Sequence, residues 1–235
     1  MPRVVKSAEV RRDEILDCAL KLFATQGYEA TSVNQIIAAL GLSKGAFYHH
    51  FAAKQDLIEA MAARFADDAA ASARPVLDDE SLDAFSRLSG FLASMRQSKV
   101  AASVEIRNAF EPLFRDENLR LYQRTHEAVI AVVRPILAGI IAAGVEERTF
   151  DTPHPDWAAD IILQMLGTTR TLVADIYHAH NTAQFEHAAS CLLARFRYIG
   201  TVVDRILGLP EGSIVLADER SIEDIMAAWR QGLAA

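Results

Sequence analysis

Cysteine is nearly absent from this chain: Cys18 and Cys191 are the only two in 235 residues. Two thiols make no disulfide framework, and a reducing cytoplasm is the simplest home. The first six residues hold no apolar run of the kind a secretory signal carries. The most apolar stretch, residues 128–145, is interrupted by Arg134 and Pro135 and reads as a buried, kinked helix, so no membrane partner is expected. Catalytic signatures are also missing. There is no Gly-rich phosphate loop, no GxSxG elbow, no HExxH and no CxxC, so neither an enzyme nor a cofactor is expected. Strand-like alternation is missing too; the short stretch 213–216 reads as a loop. No internal repeat and no low-complexity segment appears. What remains is an all-α protein.

Hydrophobic residues make up 51% of the chain, enough to build a real core, and the formal net charge is −7. An acidic balance argues against a nucleic-acid partner until its distribution is considered. Residues 1–65 carry 8 Lys/Arg against 7 Asp/Glu; residues 66–235 carry 16 against 24. The acidic excess lies wholly in the second part, which leaves the first free to approach phosphates.

Helical periodicity runs through the chain, punctuated at Gly27, Gly41, Pro75, Pro112, Gly144, Pro153, Pro155, Gly208 and Pro210. A first helix is expected over 7–26, with Ile15, Ala19, Leu22 and Phe23 as its apolar stripe and Gly27 as its stop. Thr31 reads as the N-cap of a short second helix with Val33, Ile36, Ile37 and Leu40 inward. Gly41 suits a tight turn, and Ser43 caps a third helix ending near His50, anchored by Phe47 and Phe51. A longer helix starts near Lys54. After Pro75, helices are expected near 81–97, 100–111, 116–143, 155–179 and 183–207, the third kinked at Pro135. A last short helix is placed at about 222–230.

Two short helices about a glycine turn, over residues 31–51, have the form of a helix-turn-helix. Its second helix enters the major groove N-terminus first. Ser43 and Lys44 are small or cationic at a positive dipole end, Gly45 and Ala46 let the backbone come close to base edges, and Tyr48 and His49 reach phosphates one turn on. Phe47 and Phe51 hold this helix from behind.

Along these residues the chain resembles the TetR family of transcriptional regulators. The resemblance runs over residues 10–60: Ile15 to Phe23, Gly27–Tyr28, Thr31–Ser32–Val33, Ile36, Gly41 to Phe51, then Lys54 and Leu57. Phe47 stands where that family often has Leu, and Ala53 where a polar cap is common. The resemblance implies a three-helix DNA-binding domain over residues 1–53, and a larger ligand-binding bundle over residues 54–235 that dimerises. It implies DNA contacts from Thr31, Ser32, Ser43, Lys44, Gly45, Ala46, Tyr48, His49 and Lys54. The partners are then a two-fold symmetric double-stranded DNA operator, a small-molecule effector and a second copy of the chain.

Phe185, Ala189, Leu192, Phe196, Ile199, Val203 and Ile206 recur at alternating steps of four and three, a heptad seam. Such a seam meets another long helix, from its own chain or a partner; the resemblance implies a four-helix dimer interface shared with the helix at 155–179. Candidate effector contacts are Phe91, Met95, Arg107, Asn108, Phe110, Phe114, Tyr122, His126 and Trp157. The aromatic ones and Met95 are more often plain core than pocket wall, His126 more often a satisfied core or surface histidine, and a solvated face explains Arg107 and Asn108 as well. His187 and Cys191, at i and i+4 with His178 and His180 nearby, are better read as half-buried than as a metal site. The function expected is a ligand-responsive DNA-binding repressor. The alternative is a ligand-independent DNA-binding or scaffold protein with a protein partner on its C-terminal domain.

Overall fold

The computed structural model describes residues 7–101, 109–179 and 184–220, with 223, 224 and 227. Arg107, Asn108, His180 and most of the last expected helix lie outside the described residues. The rest is helical, with no strand among the described residues.

Local chemistry sets the first three helices. Ser7 caps α1 (Ala8–Gln26) by accepting from Val10 N, and Gly27 ends it at φ +86°. The cap of α2 (Val33–Leu40) is Ser32 rather than Thr31. Ser32 Oγ accepts from Gln35 N at 3.2 Å while Gln35 Oε1 accepts from Ser32 N at 2.6 Å. Such reciprocal bonds satisfy two otherwise orphan amides at once. Thr31 instead turns inward, 1% exposed, its hydroxyl donating to Gly27 O at 2.8 Å. Gly41, at φ 62° and ψ 31°, makes the left-handed turn. Ser43 then caps the five-residue α3 (Lys44–Tyr48) by accepting from Ala46 N.

The connecting helix α4 (Lys54–Leu77) continues past Pro75, which the sequence reading takes as a stop. Tertiary packing holds that last turn: Val76 lies so close to Gly90 that a Cβ there would meet Val76 Cγ1 at 2.4 Å. Gly90 belongs to α5 (Ala84–Ala101). Two 3-10 turns, Glu111–Phe114 and Asp116–Asn118, lead into α6 (Leu119–Glu146), which contains Pro135. This helix is long and apolar enough to cross a membrane, but Val133, Leu137, Ile140 and Ile141 are buried in the core.

The helix expected over 155–179 is two helices, α7 (Pro155–Gly167) and α8 (Arg170–Ala179). Between them, the Thr168 and Thr169 hydroxyls bond back to Met165 O and Leu166 O at 2.6 and 2.7 Å. Threonines that satisfy the backbone locally compete with helical continuation, and two in a row after a glycine end the helix. The last long helix, α9 (Phe185–Leu207), stops at Gly208 in the left-handed region.

The core has three parts. The largest joins α4, α5, α6, α7 and α9. The second packs α1, α2, α3 and the start of α4 together with Ala109, Phe110, Leu113 and Leu121. The third joins α8 to the first half of α9.

Candidate DNA interface and effector site

The face of α3 divides cleanly. Phe47 is fully buried and Phe51 nearly so, with their rings 6.1 Å apart. Ser43, Lys44, Gly45, Tyr48 and His49 are exposed, and Ala46 is half-exposed. Nothing lies within 4 Å of where a Gly45 Cβ would stand, so this backbone is open to an approaching surface. Ser32 is exposed beside it.

Two of the expected contacts sit differently. Thr31 is buried, and besides donating to Gly27 O its hydroxyl accepts from Gln26 Nε2 at 3.0 Å. Its side chain supports the turn between α1 and α2 rather than facing out. Lys54 Nζ donates to Tyr28 O at 2.9 Å and to Thr31 O at 3.1 Å, and stands 3.9 Å from the centre of the Tyr28 ring. Burial lowers the lysine's pKa, against the pull of Glu29, and lifts the Tyr28 phenol to about 12. An ammonium has three donors; two of them hold the turn.

A basic group that the helix-turn-helix pattern does not include lies close by. The Arg12 guanidinium is 5.2 Å from the centre of the Phe51 ring. The pKa of His50 is lowered by burial first, then by His49, Arg12 and Arg11. Positive charge therefore gathers beside α3 although the domain as a whole is almost neutral. The adjacent Arg11–Arg12 pair near the start of the first helix is the signal that could have shown it.

The seven candidate effector contacts among the described residues do not form one site. Phe91 is buried in the main core, with Met95 packed against it. Phe110 belongs to the second core part, its ring 5.9 Å from Phe65. Trp157 is 62% exposed, its ring 4.0 Å from that of His154, so it lines no interior pocket. Phe114, Tyr122 and His126 do come together. Phe114 stacks on Tyr177 at 4.6 Å and lies 6.3 Å from Tyr122; Tyr122 and His126 are parallel at 5.8 Å. Tyr122 Oη donates to Gly167 O at 3.3 Å. Arg170, absent from the sequence-based set, lays its guanidinium 5.3 Å from the centre of the Tyr122 ring. Burial raises the pKa of Tyr122 and lowers that of His126. Thr125 Oγ1, His126 Nε2 and Arg170 Nε are buried without a hydrogen-bond partner.

The heptad seam is also reassigned. Phe185, Ala189, Leu192, Ile199 and Val203 are all buried within one protomer, and Phe196 is half-buried against α8. Within the protomer the five buried side chains of the seam are covered by their own chain, and Phe196 only in part. The exposed apolar side chains of this region are Trp157 and Ile161 on α7 and Tyr198 on α9.

A cavity of about 350 Å³ between α8 and α9 is lined by Asp175, His178, His187 and Cys191 among others. Cys191 Sγ is 3.7 Å from His187 Nε2. Among the described residues no three such side chains are placed to hold a metal ion.

Residues 15–61 match the family described as bacterial regulatory proteins, tetR family. The chain is 29% identical to the transcriptional repressor KstR2 of Mycobacterium tuberculosis over 174 residues, 72% of this chain and 82% of that protein. It is 40% identical to the repressor AcnR of Corynebacterium diphtheriae over 78 residues, 32% of this chain and 40% of that one. The chain belongs to the TetR family.

The TetR likeness in fold extends well beyond the matched segment. A TetR-family regulator of Syntrophomonas wolfei superposes with a TM-score of 0.56 at 19% identity, over 84% of this chain and 96% of its own. The repressor QsdR of Rhodococcus erythropolis superposes at 0.53 and 13% identity, over 86% and 96%. Membership makes the chain a DNA-binding transcriptional regulator, and α2–Gly41–α3 has the form of its helix-turn-helix.

Proposed function

We propose that this TetR-family regulator is a cytoplasmic homodimeric repressor, released from its operator by a small, largely apolar effector. The observation that carries the reading is the second core part. It packs α1, α2 and α3 together with Ala109, Phe110, Leu113 and Leu121, residues that lead into the aromatic group of Phe114, Tyr122 and His126. A molecule wedged at that group therefore acts on the packing that holds α3. One ion pair ties the halves further, Arg115 to Glu29 at 3.5 Å, while Arg124 joins α6 to the start of α4 through Asp56 and Glu59 at 2.9 and 2.6 Å.

The DNA contacts we assign are Ser32, Ser43, Lys44, Gly45, Ala46, Tyr48, His49 and Lys54, with Thr31 as support and Arg11 and Arg12 as further phosphate partners. Two protomers are needed to read a two-fold site. The exposed Trp157, Ile161 and Tyr198 form the face on which a second copy sits, and the DNA-binding domain is assigned to residues 1–53. That same apolar face favours a second reading, in which a different protein docks there and no effector is needed.

Binding-site selection from random duplexes, followed by fluorescence anisotropy on the winning sequence, tests the proposal. An inverted repeat bound by two protomers is expected. Lys44→Ala should weaken that binding while leaving the helical signal intact. Enrichment of no symmetric site would end the dimeric-operator reading.

A further inference from the structure

Arg170 is a cation largely withdrawn from water. Its side chain is 12% exposed, and the nearest carboxylate, Asp116, is fully exposed and 3.9 Å from Nη1. Nη2 donates to a neutral acceptor, Arg115 O, at 2.8 Å, and Nε donates to nothing. Charges this far from water are ordinarily paired or fully hydrogen-bonded, because the loss of hydration is otherwise uncompensated. The Tyr122 ring lies against this guanidinium and, in parallel, against the His126 imidazole. The Nε2 of that imidazole is likewise buried and unpartnered. Arg170 and His126 thus each carry an unused nitrogen and each lie against the Tyr122 ring, which is 6.3 Å from Phe114 of the stacked pair Phe114 and Tyr177.

We propose that the effector is an organic anion, a small apolar or aromatic carboxylic acid whose carboxylate is bound by Arg170 Nε and His126 Nε2. This rests on the effector reading above. One cation calls for one negative charge. Guanidinium geometry matches the two oxygens of a carboxylate, and the aromatic walls suit an apolar body. Burial lowers the proton affinity of this imidazole, and in the tautomer protonated at Nε2 it donates to the second oxygen. The ring lies against Gly167, where a Cβ would stand 2.8 Å from Nε2; binding therefore turns the ring away from the end of α7. A carboxylate gripped side-on by Nε and Nη2 also draws Arg170 off Arg115 O. Arg115 is the residue that reaches Glu29 in the turn before α2, which gives the anion a route to the DNA-binding helices.

The test uses the full chain and calorimetric titration with 4-phenylbutanoate, cyclohexanecarboxylate and decanoate, each beside its primary amide. At least one acid should bind ten-fold or more tightly than its amide. Arg170→Gln should cost that acid ten-fold or more, Arg170→Lys less, and His126→Phe a smaller factor still. If Arg170→Gln fails to fold, the acid–amide comparison on the natural chain and the Arg170→Lys variant decide the matter. Amides that bind as tightly as acids, or acids indifferent to Arg170, would overturn the anion while leaving the effector reading standing. If neither acids nor amides bind, both readings fall.

Discussion

Replacing Lys54 by alanine separates two roles that one ammonium holds together. In the free protein Nζ donates to Tyr28 O and Thr31 O and lies over the Tyr28 ring. A hydrogen bond from a charged group contributes about 1.5–3 kcal/mol when buried, and an exposed cation–π contact about 0.5–1 kcal/mol. Lys54 is only half-buried, so water replaces part of what is lost, and the net cost should be about 1–2 kcal/mol. In a chain of this size that lowers Tm by roughly 2–8 °C. The third N–H adds a separate effect. Loss of one phosphate contact flattens the slope of log K against log salt by about 0.9, equally for operator and random DNA. Thermal melting reads the first role, and anisotropy across a salt series reads the second. An unchanged Tm would show that the two carbonyl bonds do not matter to the fold. An unchanged slope would remove Lys54 from the phosphate set.

Ile161→Asp and Tyr198→Asp alter side chains that are exposed within the protomer, so each should fold. In a dimer interface, each would bury an unpaired charge at a cost of several kcal/mol. Sedimentation velocity should therefore show monomers at micromolar concentration; an intact dimer would move the interface elsewhere and leave this face for another protein. His126 gives a pH signature. Burial lowers its folded pKa, so the unfolded chain binds the extra proton, and stability falls as pH drops through about 6.5 toward the lower folded value. Melting between pH 7.5 and 5.5 should show a shallower decline in His126→Phe; identical declines would mean that His126 is not held neutral by the fold.

The DNA-reading half was legible because its determinants are local. Gly41 needs a positive φ, Ser43 caps α3, and Phe47 in α3 and Phe51 just after it are the large apolar side chains that turn inward. Each signal works within a few residues. The one local error, Thr31 for Ser32, turned on Gln35, whose side chain completes the capping box. Legibility failed where the cause is remote. Pro75 reads as a stop until Gly90 lets Val76 pack against it. Thr168 and Thr169 break what periodicity presents as one helix. The seam from Phe185 to Val203 shows that one face of α9 is covered, and periodicity cannot say by which chain. The orphan nitrogens of His126 and Arg170 have no sequence signature at all, because lacking a partner is a property of the assembled structure.

The second core part bears on how this protein can be taken apart. A recognition helix of five residues cannot persist alone, since so short a segment does not repay helix nucleation. What holds α3 in shape is a packed set that closes only when Phe110, Leu113 and Leu121 arrive from far along the chain. Along the chain, the proposed DNA-reading unit ends where α4 begins; in its packing, it extends into the bundle. A chimera that grafts residues 1–53 onto a foreign sensing domain inherits the reading surface without the buried side chains that complete its core, among them Leu57, Ile58 and Met61 of α4 as well as Phe110, Leu113 and Leu121. Operator choice could be exchanged more safely at the exposed positions Lys44 and Gly45 of α3 than at Tyr48, whose ring lies 5.4 Å from that of Phe47. Swapping specificity and swapping sensors are therefore unequal operations in this chain: the first changes a surface, and the second divides a core.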